Sequence, residues 1–248
     1  MILHIPHSST FIPLFIRAQF LLSKAELSTE LNLLTDRFTD ELFVCEGTTI
    51  ICFPISRLVI DVERFLLDAD EPMSKVGMGV IYTRTAAGKP MKNPISENQK
   101  DDLIARYYNP HHQALLVEVK KELVMNGYAM IVDCHSFPNY PLPCDSDQSV
   151  PRPHFCIGTD SFHTPDALVD LAVNHLKELG YTVKINQPYS GTLVPTEYYQ
   201  NDSRVISIMI EINRSLYMDE KTGQKNNQFL LVQDHIKTLL KEIDSCEF

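Results

Sequence analysis

The feature that most constrains this chain is a series of short apolar runs rich in β-branched residues. They cover residues 2–5, 49–53, 58–62, 128–132, 155–157, 182–185 and 205–212. Several are continuous rather than alternating, as in Ala129-Met130-Ile131-Val132. Continuous apolar strands are typical of a sheet that is covered on both faces. The runs therefore predict a buried sheet.

Helical patterns lie between these runs. The clearest one covers 165–179, where Thr164 can cap the helix, Pro165 suits its first turn and Gly180 can end it. Further helices are predicted over 97–107, with a break near Pro110, over 110–126 and over 227–243. The alternation of strands and helices predicts an α/β fold, with helices on both sides of a central, mixed and largely parallel sheet. Because no linker or repeat interrupts the pattern, we expect a single domain over 1–248.

Composition narrows the class of protein. The chain has 248 residues, 44% of them hydrophobic, and a formal net charge of −10. Such an acidic chain is not expected to bind nucleic acid. No apolar segment reaches the length of about 20 residues that crosses a membrane, and the N-terminus lacks the pattern of a secretory signal. No cysteine pair has C-x-x-C spacing. We therefore expect a cytoplasmic protein with reduced thiols.

Polar side chains follow the ends of predicted strands, where open α/β sheets bind their ligands. His7 follows the first strand, and His135 follows the strand that ends near Val132. Strand alternation puts Asp133 and His135 on the same side, where the carboxylate could orient a metal-binding imidazole. The alternatives are a polar turn at His7 and a histidine bonded to backbone groups at His135.

Glu211 lies near the end of the most hydrophobic strand. Apolar surroundings raise the pKa of a carboxyl group and make it a better base near neutral pH. The alternative is an ion pair with Arg214 or another arginine.

Three arginines, Arg57, Arg64 and Arg84, are candidates for gripping substrate carboxylates, although ordinary salt bridges with Asp61 and Glu63 explain them as well. Two further features remain open. Asp36 is either a helix cap or a metal ligand. The turn at Ser190 and Gly191 would let backbone N–H groups approach a ligand.

The sequence resembles the N-formylglutamate amidohydrolase family. The matching segments are LHIPHSS (3–9), LTDRFTDELF (34–43), ISRLVIDVERF (55–65), GVIYTRT (79–85), YYNPHH (107–112), IVDCHSFP (131–138), INQPYSGT (185–192) and IEINRSLYMDE (210–220). The family is similar in fold to the zinc carboxypeptidases, with a mixed central sheet and helices on both faces. The resemblance implies hydrolysis of N-formyl-L-glutamate to formate and L-glutamate, in histidine breakdown.

The resemblance also implies roles for individual residues. His7 and His135 would be metal ligands and Glu211 the general base. The zinc carboxypeptidases carry a glutamate three residues after the first histidine, but Thr10 stands there, so Asp36 is taken as the third ligand. Zinc is the expected ion, with other divalent transition metals as alternatives. The substrate-binding residues would be Arg57, Arg64, Arg84, Arg214, Ser190 and Gly191.

Two rival hypotheses keep the same fold. One is a related zinc amidase that acts on another N-acyl amino acid or on a peptide. The other is a binding module without catalytic activity. For either enzyme, the N-formylglutamate hydrolase or the related amidase, the expected partner is a small substrate rather than a nucleic acid or a membrane. This substrate would be anionic if it is an N-acyl amino acid.

Overall fold

A computed structural model describes residues 1–246. Its centre is a six-stranded sheet in the order β2-β1-β3-β6-β4-β5. The strands are β1 (Ile2–Ile5), β2 (Thr49–Cys52), β3 (Ala129–Phe137), β4 (Phe155–Gly158), β5 (Val183–Ile185) and β6 (Val205–Asn213). All neighbouring pairs are parallel except β4 and β6. The predicted mixed, largely parallel α/β sheet is confirmed.

Seven α-helices connect the strands within the described residues: α1 (Leu14–Arg17), α2 (Lys24–Leu34), α3 (Thr39–Leu42), α4 (Glu97–Leu103), α5 (Asn109–Asn126), α6 (Asp166–Glu178) and α7 (Phe229–Ser245). Short 3-10 helices lie at Pro72–Val76 and Arg214–Leu216, and a small hairpin pairs Met218–Asp219 with Gln224–Lys225. No helix in the part of the chain that the structure describes is long and apolar enough to cross a membrane.

The two faces of the sheet are buried by different helices. Met130, Val132 and Cys134 of β3 belong to the core cluster that contains the apolar residues of α6 and α7. Their neighbours Ala129 and Ile131 pack instead with Leu115 and Val119 of α5. Because successive side chains of a strand point to opposite faces, this division shows that helices cover both sides of the sheet.

One predicted strand is absent. Residues 58–62 form turns rather than a strand, although Leu58, Val59 and Ile60 are fully buried. They pack with Met78, Val80 and Met91 from the long segment that follows. Burial beneath a loop therefore produces the same continuous apolar pattern as burial within a sheet.

The helical predictions need three corrections. The expected break near Pro110 does not occur, because a π-helical turn at Ile104–Tyr108 joins α4 to α5 and Pro110 lies in the first turn of α5. Thr164 does not cap α6; its hydroxyl donates to the backbone oxygen of Ser207 instead. The sequence analysis also missed α2, which begins with a capping box between Ser23 and Glu26.

Candidate active site

His7 follows β1 directly and is almost completely buried. Its Nε2–H donates to Oδ1 of Asp61 at 2.8 Å. Its Nδ1 has no hydrogen-bond partner among the described residues. A buried nitrogen that is oriented by a carboxylate on the other side of its ring is typical of a histidine that ligates a metal.

His135 lies within β3, with three carboxylates around its imidazole. Its Nδ1 is 3.1 Å from Oδ2 of Asp36, and its Nε2 is 3.0 Å from Oε2 of Glu63 and 3.1 Å from Oδ1 of Asp133. Burial lowers the pKa of His135, but the charges of Glu63 and Asp133 outweigh it and hold that pKa well above 6.5. The cluster therefore has an excess of negative charge that favours a cation.

The donor atoms fit a divalent metal ion. Ligand atoms of His7, Glu63 and His135 all lie within 4.8 Å of one another. Oε2 of Glu63 is 3.7 Å from the unpartnered Nδ1 of His7, and its Oε1 is buried without a partner among residues 1–246. Imidazole nitrogens and a carboxylate oxygen are the donors that zinc and related ions prefer.

Asp36, the carboxylate that the sequence analysis favoured as third ligand, also faces both histidines, and it contacts the ring of His135 at the nitrogen opposite Glu63. Its Oδ2 is 3.1 Å from Nδ1 of His135 and 3.7 Å from Nδ1 of His7. However, its Oδ1 accepts a hydrogen bond from Arg214 at 2.8 Å. The charge of Asp36 is thus already paired with a cation, whereas Glu63 has no arginine or lysine within ion-pair distance among the described residues.

His4, Glu63 and Asp133 form a second group of potential ligands. His4 donates from Nδ1 to Oδ1 of Asp133 at 2.8 Å, and its Nε2 is 2.8 Å from Nε2 of His111. Burial lowers the pKa of His111 to about 2, so this imidazole is neutral. Because His4 is fully buried and does not line the cavity, it supports Asp133 from within the protein.

Glu211 is the register partner of His135 on the adjacent strand β6. Its side chain is buried, and Oε2 has no hydrogen-bond partner among the described residues. Burial raises the pKa of Glu211 to about 8, against the lowering effect of His135. A carboxyl group of this kind holds or releases a proton near neutral pH, as a general acid–base catalyst requires.

The four candidate arginines differ in how many of their hydrogen-bond donors are paired within the protein. Arg57 donates to Asp61 at 2.8 Å and to the hydroxyl of Tyr82 at 3.1 Å. Arg214 donates to Asp36 and to the hydroxyl and backbone oxygens of Ser136. Burial raises the pKa of Asp61, but the charges of Arg57 and then of His7 outweigh it and hold that pKa well below its usual range.

The other two arginines make no hydrogen bond to another side chain among the described residues. Arg84 is exposed, donates to the backbone oxygen of Gly88 and does not line the cavity. Arg64 does line it. Its Nε is 3.8 Å from Asp61 and 4.0 Å from Glu71, and this atom has no hydrogen-bond partner within residues 1–246. Arg64 is therefore the arginine best placed to bind a substrate carboxylate.

The cluster opens into a cavity of about 680 Å³. Residues from the two long loops of the sequence analysis line it, among them Met73, Tyr82, Leu142 and Asp145. Ser190 and Gly191 also line it, and Gly191 has a φ of 90°, which glycine adopts without strain.

Sequence reasoning did not assign a role in the site to Glu63, Tyr82 or Tyr189. The sequence analysis considered Glu63 only as a salt-bridge partner of the neighbouring arginines. Only the turn at this position brings Glu63 beside His135.

The fold and the site are those of an α/β protein whose candidate active-site side chains gather at the carboxyl ends of its central strands, as in many α/β enzymes. The family model for N-formylglutamate amidohydrolase matches residues 1–218, and the chain belongs to this family of amidohydrolases.

One solved structure agrees with this assignment, and a second one shares the fold. The chain is similar to N-formylglutamate amidohydrolase from Ralstonia eutropha JMP134, with a TM-score of 0.86 and 27% identity over 98% of this chain and 92% of that one. It shares its fold with the gene product Atu2144 from Agrobacterium tumefaciens, with a TM-score of 0.64 and 19% identity over 98% and 91% of the two chains. A comparison with curated protein sequences finds no match.

Proposed function

We propose that this amidohydrolase is metal-dependent and hydrolyses N-formyl-L-glutamate to formate and L-glutamate. The observation that carries the proposal is the largely buried His7–Glu63–His135 group beside Glu211. The similar protein from Ralstonia eutropha is named for the same substrate. Formation of glutamate in this way would place the reaction in cytoplasmic histidine degradation. Growth on histidine tests this placement, and we expect it to be impaired after loss of the gene.

His7, His135 and Glu63 would hold the ion, and Glu63 is favoured over Asp36 because the charge of Asp36 is paired with Arg214. Asp36 would orient His135 through Nδ1, which leaves Nε2, the nitrogen beside Glu63, for the ion. Zinc is the first candidate, with other divalent transition metals as alternatives. When bound, such an ion polarises a carbonyl group and lowers the pKa of water.

Glu211 would act as the acid–base catalyst. Its unpartnered Oε2 can accept a proton from the attacking water and then return this proton to the departing amine. The proton balance of amide hydrolysis is complete with this single carboxyl group, since the amine gains the proton that the water loses. Burial raises the pKa of this carboxyl group towards neutrality, as suits a group that accepts and then returns a proton.

Arg64 would bind a carboxylate of the glutamate moiety. Its guanidinium is partly exposed in the cavity and lacks a close partner at Nε among the described residues. A guanidinium fork can contact both oxygens of a carboxylate. We place Arg57 and Arg214 in support of Asp61 and Asp36 instead, and assign no substrate contact to Arg84. Ser190 and Gly191 stay candidates for contact with substrate.

A second candidate function is hydrolysis of a larger N-acyl amino acid or a peptide. The size of the cavity favours it, because about 680 Å³ exceeds what a formyl group and one glutamate fill. A non-catalytic binding module is the weaker alternative, since it would give no role to the buried, unpartnered Oε2 of Glu211 beside His135.

Release of the acid product from a panel of N-acyl amino acids tests these candidates. We expect N-formyl-L-glutamate to have the highest kcat/KM and Glu211→Gln to lower kcat by about 10²–10⁴-fold. Arg64→Met should mainly raise KM, whereas Arg84→Met serves as the matched control with unchanged constants. A higher kcat/KM for a longer acyl group or a peptide would favour the second function, and no hydrolysis of any member would favour the binding module.

A further inference from the structure

Arg152 is a buried arginine that the proposed mechanism does not use. Only 6% of its surface is exposed, and it does not line the cavity. Its Nη2 donates to Oδ2 of Asp145 at 2.8 Å and to the backbone oxygen of Asp147 at 3.1 Å. Its Nη1 donates to the backbone oxygen of Pro138 at 3.3 Å. Arg152 thus fixes the loop 138–151, which forms one wall of the cavity.

The same guanidinium reaches a second wall of the cavity through Tyr189. Nη1 of Arg152 donates to the hydroxyl oxygen of Tyr189 at 3.2 Å, and the guanidinium lies 5.6 Å from the centre of the tyrosine ring. The ring also packs edge-on against Phe137. Unlike Arg152, Tyr189 lines the cavity.

The backbone fixes Tyr189 next to the candidate base. Its carbonyl oxygen accepts a hydrogen bond from Sγ of Cys156 at 3.1 Å. Cys156 on β4 is the register partner of Glu211 on β6. Tyr189 therefore lies on the flank of the cavity that adjoins Glu211.

The hydroxyl group of Tyr189 still has a hydrogen to donate. Arginine carries only donors, so the phenol oxygen must be the acceptor in its bond with Arg152. The tyrosine hydrogen has no acceptor among residues 1–246. Burial raises the pKa of Tyr189 above its usual value, so the phenol stays protonated at neutral pH.

We propose that the hydroxyl of Tyr189 donates a hydrogen bond to an oxygen atom of the bound substrate, and that Arg152 is the positioning residue that holds this hydroxyl in place. The inference rests on the proposed function for the class of substrate, an N-acyl amino acid with carbonyl and carboxylate oxygens. It does not depend on which acyl group that substrate carries.

The Tyr189→Phe variant tests the donor, because it removes one hydroxyl and keeps the ring. We expect kcat/KM to fall about tenfold, the effect of one hydrogen bond, with unchanged metal content and Tm. Tyr181→Phe is the matched control, since this hydroxyl pairs with His235 outside the cavity. A kcat/KM for Tyr189→Phe equal to that of the wild type would overturn the proposal.

A double-mutant cycle tests the positioning role of Arg152. Arg152→Lys keeps the charge but not the fork, and it should lower kcat/KM by a larger factor in the wild type than in the Tyr189→Phe background. Equal factors in both backgrounds would show that Arg152 acts independently of the tyrosine hydroxyl. Circular dichroism and metal content of each variant separate this coupling from a loss of folding.

The measurement uses the N-acyl amino acid that the wild type hydrolyses fastest. If that substrate carries an acyl group other than formyl, the result contradicts the proposed function but not the role of Tyr189. If none is hydrolysed, the proposed function fails, and calorimetric binding of N-formyl-L-glutamate replaces turnover. Weaker binding by Tyr189→Phe would then still support the inference, whereas binding equal to that of the wild type would contradict it.

Discussion

Two buried regions of this protein lie along the same strands and differ in what burial does to them. The core beneath α6 and α7 contains side chains such as Val132, Ile208 and Ile236, all fully buried and apolar. The cluster at the carboxyl ends contains His7, Asp36 and other ionisable groups that are equally buried. Burial stabilises the first region, because apolar surface leaves water. In the second region it costs free energy unless charges are matched, which is typical of a site built for a ligand.

The sharpest test of the polar cluster compares two carboxylates beside the same histidine. Glu63→Gln should abolish tight metal binding if Glu63 is a ligand. Asp36→Asn should weaken binding by about 10–100-fold, as expected for a group that orients a ligand. Competition with a chromophoric chelator gives both affinities. The reverse ranking would restore Asp36 as the third ligand and leave Glu63 in the supporting role.

The apolar core should respond in the opposite way. Ile208→Ala removes a fully buried side chain, so we expect a loss of about 2–5 kcal/mol in the free energy of unfolding. Metal affinity and kcat of the folded fraction should stay unchanged, since Ile208 belongs to the core cluster and does not line the cavity. Urea unfolding measures the first quantity and a single-temperature assay the second. A selective loss of kcat would show that the two regions are not independent.

Metal removal should destabilise the protein through the polar cluster alone. An ion that binds only the folded state adds about 2.7 kcal/mol to its stability when present at 100 times its dissociation constant. We therefore expect Tm to rise when zinc is added to the metal-free wild type and to change little for His135→Ala. An equal rise in both proteins would place the ion elsewhere.

Lys92 provides a buried charge outside either region. It is 5% exposed, its Nζ donates to the backbone oxygen of Val59 at 3.2 Å, and burial lowers its pKa from 10.5 to about 7. The unfolded chain binds the proton more tightly, so the stabilising effect of replacing this amine is largest at low pH. Lys92→Met should be more stable than the wild type at pH 6, by more than the value of about 1.4 kcal/mol for one pKa unit.

The advantage of Lys92→Met should shrink as the pH rises from about 7 towards 10.5, because the unfolded lysine also loses its proton there. Urea unfolding of both proteins across this range measures the difference. A constant difference would mean that Lys92 does not change its pKa on folding.

Apolar runs predicted five of the six central strands nearly to the residue, and the sixth, β3, extends further than its apolar part. In β3 the strand continues through Asp133 and His135 to Phe137, because β6 pairs with it along the whole length. The strand predicted at 58–62 was wrong, because burial against residues 78–91 gives the same apolar pattern as a strand.

The polar site was harder to predict than the sheet. His7, His135 and Glu211 follow or end apolar strands, and this position, their chemistry and the family resemblance made them candidates. Glu63 comes from a turn, so no periodicity or spacing connects it with His135. The distinction between Arg64 and Arg57 depends on partners such as Asp61 and Tyr82, which only the folded chain brings together.

The central claim is that the buried polar cluster binds a metal ion and that this ion is required for amide hydrolysis. Elemental analysis of wild type and His135→Ala, with formate release from N-formyl-L-glutamate followed on the same samples, tests it most directly. We predict close to one equivalent of zinc or a related ion per chain in the wild type, lost together with formate release in the variant. Formate release by a wild type that holds no metal, even after reconstitution with zinc, would contradict the account.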